Sequence, residues 1–190
     1  LVFYPGARVA PDAYLESLAP LARDANVRVV VPRLPLTLAI VDYGLARTGL
    51  RPHTATAVMT SHADIGRWYV GGHSLGGAMA CRYANVETDR IEGLVLYGSY
   101  CDQDISDTGL SVVNVVGAGD TGMNRAAYEE GRDLLPGDAT VVEIQGLNHT
   151  QFGSYRGQSG DTPTGTSYGE AHARLNDVVV PWFQNRTAAP

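Results

Sequence analysis

The chain has 190 residues, the length of one domain, and its 44% hydrophobic and 18% charged fractions are those of a chain that folds around a core. Its net charge is −6, and all fourteen of its cationic residues are arginines scattered along the chain; without a basic face it does not read as a nucleic-acid binder. No apolar run approaches the ~18 residues that span a bilayer, and no stretch reads as a signal peptide.

Residues 1–4 read as a strand that ends at Pro5-Gly6. Leu15, Leu18, Leu21 and Ala22 recur at helical spacing and predict a helix over 13–25, with Asp12 as its cap. A second strand is expected over 27–31, stopped by Pro32, then a short helix near 36–41 and another over 53–61. A strand at 68–70 runs straight into a helix from 74 to about 84. Further strands are expected at 94–97 and 111–116, a helix at 125–135 closed by Pro136-Gly137, and a last strand at 140–144. The stretch 153–169 is polar and glycine-rich, a long loop that either shapes access to a site or is plain solvent loop. A helix over 171–184 follows, with Leu175, Val178, Val179 and Trp182 on its apolar side.

Six nearly continuous apolar strands separated by helices predict an α/β fold in one domain over residues 1–190, its mainly parallel sheet covered by helices on both faces. The segment 99–110 is too short for a cap domain, so an open site is expected. The chain begins inside a strand, which points to residues before Leu1 that were removed or to a trimmed sheet. Any export signal or anchor is expected there, so the compartment stays open between cytoplasm and export. Cys81 falls within a helix and Cys101 just past a strand end. Burial as two small apolar residues is expected ahead of a bridge, which needs Cα atoms within about 7 Å.

The chemistry centres on Gly72-His73-Ser74-Leu75-Gly76, a G-x-S-x-G run at a strand-to-helix junction. A tight turn there projects a serine hydroxyl above the sheet, and the helix start supplies free N–H groups for a developing oxyanion. Asp120 follows the strand at 111–116 after Gly117-Ala118-Gly119, and His149 follows the last strand after Gly146-Leu147-Asn148. The order Ser74, Asp120, His149 is that of a nucleophile, an orienting acid and a general base on an α/β sheet. Asp102, Asp104 and Asp107 follow the preceding strand and are the alternative acids. The oxyanion donors are expected to be the backbone N–H groups of Leu75 and Ala7. Tyr4, Arg8, Gln151 and Phe152 are candidates for pocket lining. For Arg8, a solvated or internally paired role is expected ahead of contact with a substrate carboxylate, and Tyr4 and His73 read as packing supports ahead of any part in the pocket. His53, His62 and His172 have no acidic or cysteine partners at ligand spacing, so no metal is expected.

Phe3-Tyr4-Pro5-Gly6-Ala7, Gly71-Gly72-His73-Ser74-Leu75-Gly76-Gly77-Ala78, Gly117 to Asp120, and Asn148-His149-Thr150-Gln151-Phe152-Gly153 together resemble the compact bacterial α/β-hydrolases related to dienelactone hydrolase. The resemblance covers nearly all of the chain. It implies an α/β-hydrolase fold without its first two strands, no cofactor, and hydrolysis of a small-molecule ester. Dienelactone hydrolases proper use a cysteine nucleophile, so their substrate does not carry over to a chain with Ser74. The expected function is therefore ester hydrolysis through an acyl-enzyme. The alternatives are the same triad acting on amides, lactones or in perhydrolysis, or a non-catalytic binding protein on this scaffold.

Overall fold

The structure, a computed structural model, describes residues 1–187. Five strands alternate with helices along the chain: β1 (Val2–Tyr4), α1 (Leu15–Asp24), α2 (Ala39–Arg47), α3 (Thr54–Ser61), β2 (Tyr69–His73), α4 (Leu75–Val86), β3 (Gly93–Tyr97), β4 (Ser111–Gly117), α5 (Arg125–Arg132), β5 (Thr140–Ile144) and α6 (Tyr168–Thr187). All neighbouring strands are parallel, in the order β1-β2-β3-β4-β5. Every carboxyl end therefore opens onto one edge, where α/β sheets gather their functional loops.

Side chains alternate across a strand, and this divides the core into two layers. Val2, Val70, Leu94, Leu96 and Val112 face α2, α3 and α4, meeting Ala39, Ala55, Met59 and Ala80. Phe3, Tyr69, Val95, Tyr97 and Val113 face α1 and α6, meeting Leu18, Leu21, Leu175, Val179 and Phe183. Burial on both faces is what demands near-continuous apolar strands.

The expected strand over 27–31 is corrected. Only Val30 pairs, with Val2, through Val30 N–H to Leu1 O and Phe3 N–H to Val30 O, each 2.9 Å. Its partner β1 is three residues long, and Pro32 has no N–H to extend the ladder. The predicted helix over 13–25 begins as a 3₁₀ turn at Pro11–Tyr14, and Asp12 makes no capping bond. The helix near 36–41 lies later, as α2, because Leu36 and Thr37 adopt left-handed φ values of 53° and 54°. Cys81 and Cys101 are bridged, not separate: their Cα atoms lie 5.4 Å apart, tying α4 to the segment after β3.

Candidate active site

Ser74 stands between β2 and α4 with φ 54° and ψ −126°. This backbone region is costly for any residue with a Cβ and persists only where the surroundings hold it. Here they do. Ser74 N–H donates to Tyr97 O (3.0 Å), and Ser74 O accepts from Gly77 N–H (3.0 Å), Ala78 N–H (3.2 Å) and Ser99 Oγ (2.7 Å). Packing requires glycine beside it: a Cβ on Gly76 would lie 2.3 Å from the carbonyl oxygens of Tyr4 and Pro5. The start of α4 is thereby pressed against the loop that leaves β1.

That loop has one backbone donor to spare. Pro5 has none, Gly6 N–H donates to Tyr14 Oη (2.8 Å), Arg8 N–H to Thr37 O (3.0 Å) and Val9 N–H to Gly6 O (3.1 Å). Ala7 N–H is left without an acceptor. Leu75, the first residue of α4, likewise has no carbonyl one turn back to receive its N–H.

Asp120 and His149 are both buried, and His149 Nδ1 lies 2.8 Å from Asp120 Oδ2 and 2.9 Å from Oδ1. Oδ1 also accepts from Gly122 N–H (3.0 Å) and Met123 N–H (2.9 Å). A carboxylate that accepts from two backbone N–H groups accepts from the imidazole too, which puts the proton on Nδ1 and leaves Nε2 basic. His149 Nε2 is buried without a partner, and no hydrogen bond joins it to Ser74 Oγ. Two of the three alternative acids are used elsewhere. Asp102 pairs with Arg82, and Asp104 accepts from Ser106.

His149 opens a 3₁₀ turn, His149–Phe152, fixed on three sides. Asn148 and Gln151 form a reciprocal capping box: Gln151 N–H donates to Asn148 Oδ1 (3.2 Å) and Asn148 N–H to Gln151 Oε1 (2.9 Å). Asp161, from the glycine-rich loop, accepts His149 N–H at Oδ1 (3.0 Å) and Thr150 N–H at Oδ2 (3.1 Å). His73 lies against the other side, its ring centroid 4.5 Å from that of His149. His73 Nδ1 meets Tyr14 Oη at 2.9 Å, and that hydroxyl also receives Gly6 N–H. Burial, then the neighbouring His149, holds the His73 pKa well below 6.5, so His73 stays neutral.

A cleft of about 400 Å³ holds Ser74. Ala7 and Arg8 line it, together with Tyr155, Arg156 and Gln158 of the glycine-rich loop. Three residues considered for its lining are elsewhere. Tyr4 follows Phe3 by one residue and so points to the opposite face, where its hydroxyl donates to Asp42 (3.4 Å) and accepts from Ala55 N–H (3.1 Å). Gln151 is buried in its capping box, its amide donating to Thr166 O (2.7 Å). Phe152 is fully buried, its ring centroid 5.4 Å from that of His73 and 5.7 Å from that of Tyr97. Sequence reasoning missed Tyr14, Asp161 and Arg156. The N-x-x-Q spacing of Asn148 and Gln151 is a readable cap signal, whereas Asp161 carries none.

The fold has counterparts among solved structures. An α/β-hydrolase enzyme from the metagenome of Mar Chica lagoon sediments superposes with a TM-score of 0.69 at 16% identity, covering 97% of this chain and 90% of that one. A monoacylglycerol lipase of Paleococcus ferrophilus gives 0.67 at 13% identity, covering 98% and 94%. A thermophilic esterase of Thermogutta terrifontis gives 0.66 at 12% identity, covering 97% and 89%. No match was found among curated proteins. The family model for the alpha/beta hydrolase family matches residues 1–172. With the parallel sheet, the strained serine after β2 and the buried acid–histidine pair at its carboxyl edge, this places the chain in that family: it is an alpha/beta hydrolase.

Proposed function

We propose that the protein is a serine hydrolase that cleaves carboxylic esters through an acyl-enzyme. Ser74 attacks the ester carbonyl, and His149 Nε2 takes its proton and passes it to the departing alcohol. Asp120 keeps His149 in the tautomer with a basic Nε2 and stabilises the imidazolium. Ala7 and Leu75 N–H groups receive the oxyanion; losing one such donor typically costs about 3–4 kcal/mol of transition-state stabilisation. Water activated by His149 then releases the acid.

The observation that carries this reading is the buried Asp120–His149 pair, 2.8 Å apart, at the sheet edge that also bears the strained Ser74. The Ser74–His149 hydrogen bond is absent from the free protein; such bonds commonly form only when substrate completes the site. The esterase and lipase names of the structural neighbours agree with the reaction class. A cleft of about 400 Å³ suits small or medium esters. The test is Ser74→Ala, with short p-nitrophenyl esters and a fluorophosphonate probe. Labelling is expected to vanish and turnover to fall about 10³-fold or more. Unchanged turnover in a folded variant overturns the assignment.

A further inference from the structure

The chain carries a net charge of −6, and several of its arginines meet carboxylates, among them Arg51 with Asp42, Arg82 with Asp102 and Arg125 with Glu143, while others such as Arg174 and Arg186 meet backbone carbonyls. The two arginines that line the Ser74 cleft meet none. Arg8 and Arg156 both line it, and no described residue lining the cleft bears a carboxylate. The nearby acids are already committed, Asp120 to His149 and Asp161 to the backbone of residues 149 and 150.

Both arginines are held. Arg8 sits at a left-handed φ of 61°, which a long side chain rarely adopts, with its N–H bonded to Thr37 O at 3.0 Å. The Arg156 guanidinium lies 5.6 Å from the centroid of the Tyr168 ring. Two solvent-facing guanidinium groups beside a nucleophile, with no carboxylate lining the same cleft, can receive an anion. Arginine suits this task because its planar fork matches a carboxylate, while solvent screening of exposed pairs limits the gain.

We propose that Arg8 and Arg156 form a carboxylate subsite, and that the substrate is an ester bearing a free carboxylate on its acyl or its alcohol half. This rests on the reading of Ser74 as the nucleophile.

The test uses matched esters. 4-Nitrophenyl monoadipate is compared with 4-nitrophenyl hexanoate, placing the charge on the acyl half. The hexanoyl ester of 4-hydroxybenzoate is compared with that of 4-hydroxybenzamide, placing it on the alcohol half. The expected result is a kcat/KM preference of about tenfold or more for the anionic member of at least one pair, shrinking as salt rises. Arg8→Gln with Arg156→Gln is expected to bring that ratio near one, and the double lysine variant to retain part of it. Turnover of all four esters without a preference, or a preference that survives the double glutamine variant, overturns the subsite and leaves the ester-hydrolase reading standing. No turnover of any ester together with no fluorophosphonate labelling overturns both.

Discussion

Around His149, Nδ1 and the backbone N–H have fixed partners while Nε2 has none, and the consequences are separable. Asp120 accepts from the imidazole and from two backbone N–H groups. Asp120→Asn introduces an amide N–H where acceptors are needed, which favours the wrong imidazole tautomer. We expect kcat to fall about 10⁴-fold with a much smaller change in KM, measured by steady-state kinetics; a loss under tenfold would sink the assigned role. His73 makes a different prediction. Its pKa is depressed in the folded protein by burial and by His149, so below about pH 6.5 the unfolded chain takes up a proton that the folded chain refuses. Half-exposed His53, depressed mainly by burial, acts in the same direction. Stability is therefore present above pH 6.5 and declines as pH falls below it. The thermal midpoint is expected to drop between pH 6.5 and pH 5; a flat profile there would show that His73 is protonated in the fold.

At the scale of elements, two contacts hold the site together. The first is the junction of β1 and α4, where Gly76 lets the Tyr4 and Pro5 carbonyls touch the helix start. This brings the loop that carries Ala7 against the start of α4 although the two are far apart in sequence. The second is the anchoring of the glycine-rich loop. Asp161 binds the N–H groups of residues 149 and 150, Asn148 Nδ2 donates to Thr162 O (3.0 Å), and Thr164 Oγ1 donates to Gly146 O (2.8 Å). The same loop supplies Tyr155 and Arg156 to the cleft. Asp161→Ala strips two buried N–H groups of their acceptor, and loosening of His149 follows. We expect kcat to fall roughly tenfold, a barrier increase near 1.4 kcal/mol, with Asp161→Asn recovering part of it. Unaltered kcat alongside a lowered melting point would reduce Asp161 to a purely structural tie.

For the whole molecule, the Cys81–Cys101 bridge spans 20 residues and joins the helix behind the nucleophile to the exit of β3. Closing a loop of that length stabilises by about 3 kcal/mol in the chain-entropy view. For a chain of this size that corresponds to roughly 6–12 °C in melting temperature. Reduction with dithiothreitol is expected to lower the midpoint by that amount, and Cys81→Ser with Cys101→Ser to mimic it. Two free thiols in the unreduced, unfolded protein would contradict the bridge. No described helix is long and apolar enough to cross a membrane.

How much of this was legible follows from the range of the forces involved. Apolar periodicity is local, so the sheet strands at 94–97, 111–116 and 140–144 and the helix after Ser74 stood out in the chain, and with them the α/β class. The spacing of Ser74, Asp120 and His149 was equally legible, because in a parallel sheet each strand delivers its following residue to the same edge. The 27–31 run was misread because β-propensity says nothing of whether a partner strand is long enough to pair with. Between packing support and pocket lining, Tyr4 took the first, because which face a strand residue takes depends on the register of the whole sheet. Bonds across more than ten residues left no local trace. Asp161 on His149, Tyr14 on His73, the Cys81–Cys101 bridge, and Arg156 brought to the cleft that Arg8 lines were decided by tertiary structure alone. The candidate residues could be picked from the sequence; the contacts that hold them, and the two arginines gathered at the Ser74 cleft, required the chain to be folded.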